Sequence, residues 1–119
     1  MAEELTEKII GCAMKVSNTL GTGFLEKVYE NALVVELART GLAVEQQKAI
    51  KVSYEGVIVG DFGADIIVNG SVILELKAAK MIDEMHQAQL LNYLRATGLK
   101  VGLILNFGTP RLGIKRMVL

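Results

Sequence analysis

At 119 residues and 51% hydrophobic, the chain is the length of one domain and apolar enough to bury a core, so a single domain over residues 1–119 is expected. Thirteen basic and thirteen acidic residues cancel, which excludes a bulk electrostatic pull toward nucleic acid or an anionic membrane and leaves only local contacts. The single cysteine, Cys12, excludes an intrachain disulfide and a cysteine-rich zinc site; with no signal-peptide pattern after Met1 and no long apolar run, a cytoplasmic protein without a membrane span is expected.

From Glu3 to Leu20, residues Leu5, Ile9, Ala13, Met14 and Val16 recur at helical spacing, the mark of an amphipathic helix. Cys12 reads there as a small helix residue, because no basic neighbour pattern would lower its pKa toward a nucleophile's. Gly21-Thr22-Gly23 breaks the helix. A second helix is expected from about Phe24 to Thr40, with Leu25, Val28, Tyr29, Ala32, Leu33, Glu36 and Leu37 along one broad side and Gly41 as its stop. Taken alone, Glu26 is a helix-start carboxylate that offsets the dipole and reaches back to the cap, and Tyr29 is core.

The period changes at Val44, with Val44, Ile50 and Val52 among polar residues until Tyr54-Glu55-Gly56 turns the chain into Val57 to Asp61. Gly60 and Gly63 interrupt that strand, which predicts a bulge or bend that re-aims neighbouring side chains, a common device beside a site; Asp61 reads as solvated. Two β-branched runs, Ala64 to Val68 and Ser71 to Leu76, then flank Asn69-Gly70 as a β-hairpin. Asp65, Glu75 and Lys77 lie inside runs apolar enough to be covered on both faces, where an ion costs several kcal/mol unless something compensates it. A two-residue loop would set Asp65 opposite Leu74 and send Glu75 to the other face. A three-residue loop with Gly70 left-handed flips the parity and brings Asp65, Glu75 and Lys77 to one face, and this register is the one expected.

A third helix spans about Asp83 to Thr97, with Gly98 as its stop. His86, Gln89 and Tyr93 share a face, and His86 reads as a helix-surface residue, since no second histidine or further cysteine could complete a zinc site. Lys100 to Asn106 is a buried strand by composition, followed by a turn at Phe107 to Pro110 and a last strand from Leu112 to Leu119. The pair Lys115-Arg116 reads as a solvated strand end. The expected class is α/β (α+β): a mixed sheet flanked by helices, with the strands on either side of the third helix parallel.

Two close carboxylates repel each other and raise at least one pKa unless a divalent cation fills the gap. Mg²⁺, with Mn²⁺ as its substitute, suits Asp65 and Glu75: it takes hard oxygen ligands, binds through one or two carboxylates and keeps phosphate oxygens in its shell. Lys77 would then position the attacking water or neutralise developing charge, and Gln89 and Tyr93 would orient the lysine or hold a phosphate. The structural alternative is a buried Asp65–Lys77 ion pair with Glu75 reaching solvent.

Gly23-Phe24-Leu25-Glu26-Lys27-Val28-Tyr29 followed by Glu30-Asn31-Ala32-Leu33, then Ile73-Leu74-Glu75-Leu76-Lys77-Ala78, Gln89-Leu90-Leu91-Asn92-Tyr93-Leu94 and Asn106-Phe107-Gly108 occur in this order over nearly the whole chain. In them the sequence resembles the GxxExxY proteins, a minimal branch of the PD-(D/E)XK nuclease superfamily. The resemblance implies a restriction-endonuclease-like αβββαβ core with an extra N-terminal helix and C-terminal strand. It implies that Asp65 and Glu75 are metal carboxylates, that the Leu76 carbonyl is a third ligand, that Glu26, the superfamily's helical glutamate, belongs to the metal site with them, that Lys77 is the catalytic lysine, and that Gln89 and Tyr93 form the helix motif of RecB-like nucleases. Ala64 stands where the superfamily's name has proline. The implied activity is divalent-metal-dependent hydrolysis of nucleic acid, DNA ahead of RNA. The competing class is a catalytically silent module of the same fold that binds nucleic acid or a partner protein, and the apolar content allows a homodimer.

Overall fold

A computed structural model describes residues 2–119. The elements are α1 (Ala2–Leu20), α2 (Glu26–Arg39), β1 (Val44–Tyr54), β2 (Val57–Val68), β3 (Val72–Lys77), α3 (Glu84–Thr97), β4 (Val101–Asn106) and β5 (Gly113–Val118). The strands form one sheet in the order β1-β2-β3-β4-β5, with β3 and β4 parallel and the other neighbours antiparallel. This is the expected mixed sheet flanked by helices. Among the described residues no helix is long and apolar enough to cross a membrane.

Strands β3 and β4 are buried along nearly their whole length because both of their faces are apolar and both are covered. On one face Ile9 of α1 and Tyr29, Leu33 and Leu37 of α2 pack with Ile66, Leu74 and Leu103. On the other, Leu90 and Leu94 of α3 pack with Ile67, Ile73 and Ile104. Gly102 lets α3 lie close, since a Cβ there would stand 2.8 Å from Leu90 Cδ1.

The β2–β3 register pairs Ile66 with Leu74, Ile67 with Ile73 and Val68 with Val72, so the connection is the three-residue loop Asn69-Gly70-Ser71. Gly70 is left-handed (φ 61°) as expected, and Asn69 joins it (φ 51°), a conformation its short polar side chain tolerates. The Asn69 Oδ1 also accepts from Ala43 N at 2.8 Å, which ties the loop to the start of β1.

β2 is a 12-residue strand that passes through Gly60 and Gly63, and the bulge or bend expected of these glycines is found beside each of them. Two irregularities shape the strand. Val52 pairs with Gly60 but Ser53 with Ile58, so Val59 is an extra residue and bulges. Further along, Gln46 pairs with Ile66 and Lys48 with Ala64, while Gln47 and Asp65 between them are unpaired and Gln47 adopts φ 54°. Side-chain alternation skips a beat there: Ala64 packs toward α3 and Ile66, two residues on, toward α1 and α2. Gly63 lies beside this kink, where a Cβ would come within 2.7 Å of Gln47 Oε1, the movable end of that side chain. Beyond the kink the β2–β3 pairing ends, and β1 and β2 continue as a two-stranded arm whose tip exposes Tyr54, Val57 and Ile58.

Candidate active site

The opening between β2 and β3 is filled by side chains in place of ladder bonds. Asp65 N donates to Glu75 Oε2 at 2.9 Å, and Leu76 N donates to Asp65 Oδ2 at 2.8 Å. Each carboxylate thus satisfies a backbone donor of the strand opposite, which explains how the strands can part without orphaning their amides. The N–H and C=O of one strand residue turn to the same neighbour, so the Leu76 carbonyl also faces this opening. The Leu76 side chain is buried on the α1 and α2 side.

Glu75 is 6% exposed, and burial followed by the Asp65 charge pushes its carboxyl up to about 8. Burial also raises Asp65, with the Leu76 N–H pulling the other way and the Glu30 charge adding to the rise. Lys77 sits half-buried two residues beyond Glu75 and so on its face of the strand. Among the described residues it pairs with no carboxylate, so the alternative of an Asp65–Lys77 ion pair with Glu75 in solvent is not what forms.

The helical carboxylate that faces this pair is Glu30. Glu26 is exposed in the first turn of α2, where it offsets the dipole, and makes no side-chain hydrogen bond among the described residues. One turn on, Glu30 is 4% exposed and accepts from Lys27 Nζ at 3.0 Å, Gln46 Nε2 at 2.6 Å and Gln47 Nε2 at 3.1 Å. The same Gln47 amide donates to Asp65 Oδ1 at 3.3 Å, so it links the helix carboxylate to the strand carboxylate. Sequence reading gave neither residue a role, although Glu30 lies in the segment that carries the family resemblance. Glu30 stands at helical spacing from Leu33 and Leu37, a charge on a buried stripe, and that signal was available. Gln47 carried no such signal.

The helix pair separates. Tyr93 stacks on Phe62 with ring centroids 3.8 Å apart, and burial and then the Glu75 and Asp65 charges raise its phenol. Gln89 is exposed and makes no side-chain hydrogen bond among the described residues. His86 is a capping residue: its N donates to Asp83 Oδ1 at 2.8 Å and its Nδ1 accepts from Asp83 N at 3.2 Å.

Two motifs outside the site hold it in place. Tyr29 is fully buried, donates to Gly21 O at 2.7 Å, accepts from Phe24 N at 3.2 Å and stacks on Phe107. Asn106 is 2% exposed; its Oδ1 accepts from Ala79 N and Gly108 N, and its Nδ2 donates to Ala79 O. With Phe107 N donating to Lys77 O at 2.8 Å, this clamp fixes the chain just past Lys77, and a Cβ at Gly108 would overlap the Ala79 backbone.

Among the described residues no three His, Cys, Asp or Glu side chains group closely enough to cage a metal by themselves. Two carboxylates beside a backbone carbonyl nevertheless fit Mg²⁺, which takes few protein ligands and fills its shell with water and phosphate oxygen.

No curated protein matches the chain. The crystal structure of SSO0001 is similar in fold, with a TM-score of 0.62 at 18% identity over 77% of this chain; the chain spans about half that structure's length, 48%. The family model of the PD-(D/E)XK nuclease superfamily matches residues 3–117. The five-stranded mixed sheet with its flanking helices agrees with that match, and the chain belongs to the PD-(D/E)XK nuclease superfamily.

Proposed function

We propose that the chain is a divalent-metal-dependent phosphodiesterase that hydrolyses nucleic acid, and that within its superfamily it is a GxxExxY protein, acting as one domain. The reading is carried by one observation: Asp65 and Glu75 are braced against each other's strands at the point where the sheet parts. Asp65 and Glu75 would hold Mg²⁺ or Mn²⁺ with the Leu76 carbonyl, and Glu30, in the place first expected of Glu26, would steady them through Gln47. Once bound, the cation offsets charge on the phosphodiester and makes a water more acidic. Lys77, free of any carboxylate partner among the described residues, orients the attacking water and donates to phosphate oxygen as negative charge builds. Tyr93 hydrogen-bonds a substrate phosphate beside the carboxylates, and Gln89 meets the strand at the rim. A homodimer would cover the exposed Tyr54, Val57 and Ile58 at the tip of the arm.

The test is cleavage of labelled DNA and RNA, single- and double-stranded, in Mg²⁺ or Mn²⁺. Wild type should cut at least one substrate, with DNA the first to try, and Lys77→Ala should lower the rate by about 10² or more without changing metal affinity. Equal rates for the two proteins would remove Lys77 from the chemistry.

A further inference from the structure

Strand alternation gives the β1–β2 arm two unlike faces. Ile50 pairs with Phe62, Val52 with Gly60 and Tyr54 with Val57, so these residues share one face, and none of them carries a charge. Lys51 and Asp61 pair on the other face, beside Ser53 and Ile58. The base of the apolar face is covered, because Ile50 and Phe62 pack with Leu90, Leu94 and Tyr93 of α3. Its outer half is bare: Tyr54 is 66% exposed and Val57 63%, at the end of a two-stranded ribbon, a form that is marginal in water by itself.

Two observations say what covers this face. Gly60 lies at its middle with no need of being glycine inside its own chain: its φ is not positive, and a Cβ there would meet nothing within 4 Å. The bare backbone leaves a recess that suits the close approach of another body. Beside it, a groove of about 660 Å³ opens between the arm and α3, with Val52 and Phe62 on one wall and Tyr93, Arg95 and Ala96 on the other. Arg95 is exposed there and pairs with no carboxylate among the described residues. The tip of the arm carries the matching parts, Tyr54 and Val57 to fill an apolar groove and the exposed Glu55 to meet its arginine. Key and recess on one chain are complementary to each other, which is what a two-fold contact between copies requires.

We propose that two copies of the chain pack their arms face to face about a two-fold axis at Val52 and Gly60, so that Tyr54 and Val57 of each enter the other's groove and Glu55 of each meets the other's Arg95. Equal steps on either side of that centre set Tyr54 over Ile50 and Val57 over Phe62 of the second copy. Phe62 is three residues before Asp65, about 10 Å along a strand, so each arm would also stand beside the other copy's carboxylates. The contact rests on the homodimer reading, to which it gives a surface and a register, and is independent of the nuclease reading.

The measurement is sedimentation velocity in chelator, without nucleic acid, from about 1 to 300 µM protein. Wild type should pass from monomer to dimer within that range. Gly60→Leu, whose side chain starts in open space, and Tyr54→Arg, at an exposed position, should each weaken dimerisation by about tenfold or more while keeping the circular dichroism spectrum of wild type. Glu55→Arg and Arg95→Glu should each weaken it, and the two changes in one chain should recover most of the loss. A wild type that stays monomeric, a Gly60→Leu or Tyr54→Arg protein that dimerises as wild type does, single charge changes without effect, or an exchange that recovers nothing overturns the proposal. Mn²⁺ titration and cleavage read the metal site separately, so a monomeric protein would remove the arm contact and leave the roles of Asp65 and Glu75 as they were.

Discussion

Asp65 and Glu75 stand on adjacent strands where the ladder between them is missing, and the Asp65 amide is satisfied by the Glu75 carboxylate at 2.9 Å. The like charges are held together by backbone hydrogen bonds, with no basic residue in ion-pair contact among the described residues. Such a pair is costly when fully ionised, and that cost is what a cation would relieve.

The first consequence is a pH dependence. Glu75 has a folded-state pKa of about 8 against an ordinary 4.5, so its contribution to stability is complete below 4.5 and lost as pH rises through about 8. Asp65 is shifted in the same direction. Urea unfolding in chelator should therefore show stability falling across that window by on the order of 5 kcal/mol. Glu75→Gln keeps an acceptor for the Asp65 amide and should remove most of the slope. With Mn²⁺ the slope should weaken or reverse, because the metal binds the deprotonated form.

Gln47 combines an unfavourable backbone conformation with a bridging amide, and two substitutions separate these roles. Gln47→Ala loses the links to Glu30 and Asp65 and keeps the positive φ of 54°. Gln47→Gly loses the same links but relieves the backbone. Thermal or urea unfolding should find the glycine variant more stable than the alanine variant by about 1 kcal/mol. Equal stabilities would mean that the kink costs nothing to hold.

Asn106 touches no proposed metal ligand, yet it clamps the chain that follows Lys77 through three hydrogen bonds. Asn106→Ala leaves buried partners unpaired and should cost about 2–4 kcal/mol. At temperatures where the variant is folded, cleavage should still fall, because Lys77 loses its anchor, while Mn²⁺ affinity holds. Gly108→Ala meets the same Ala79 backbone and should be at least as destabilising.

Much of this site could be read from the chain because strand parity is a strict rule. The three-residue loop after Val68 followed from asking which register would bring Asp65, Glu75 and Lys77 to one face, and the strands pair in that register. The helices and the parallel β3–β4 pair followed from periodicity and length. What escaped was decided by tertiary contact. Glu26 and Glu30 are one turn apart on α2, and only the packing of that helix over β1 buries the second and leaves the first in solvent. The bend expected near Gly60 and Gly63 is present, but its exact place at Asp65 is set by Gln47 opposite, which takes a left-handed conformation that its residue type does not announce.

Divalent-cation binding by Asp65 and Glu75 together is measured by isothermal titration of Mn²⁺ into chelator-stripped wild type, Asp65→Asn and Glu75→Gln, without and with nucleic acid. Wild type should bind saturably, and either substitution should abolish binding. Unchanged binding in Glu75→Gln, or none in wild type even with nucleic acid present, would show that the pair is not a metal site.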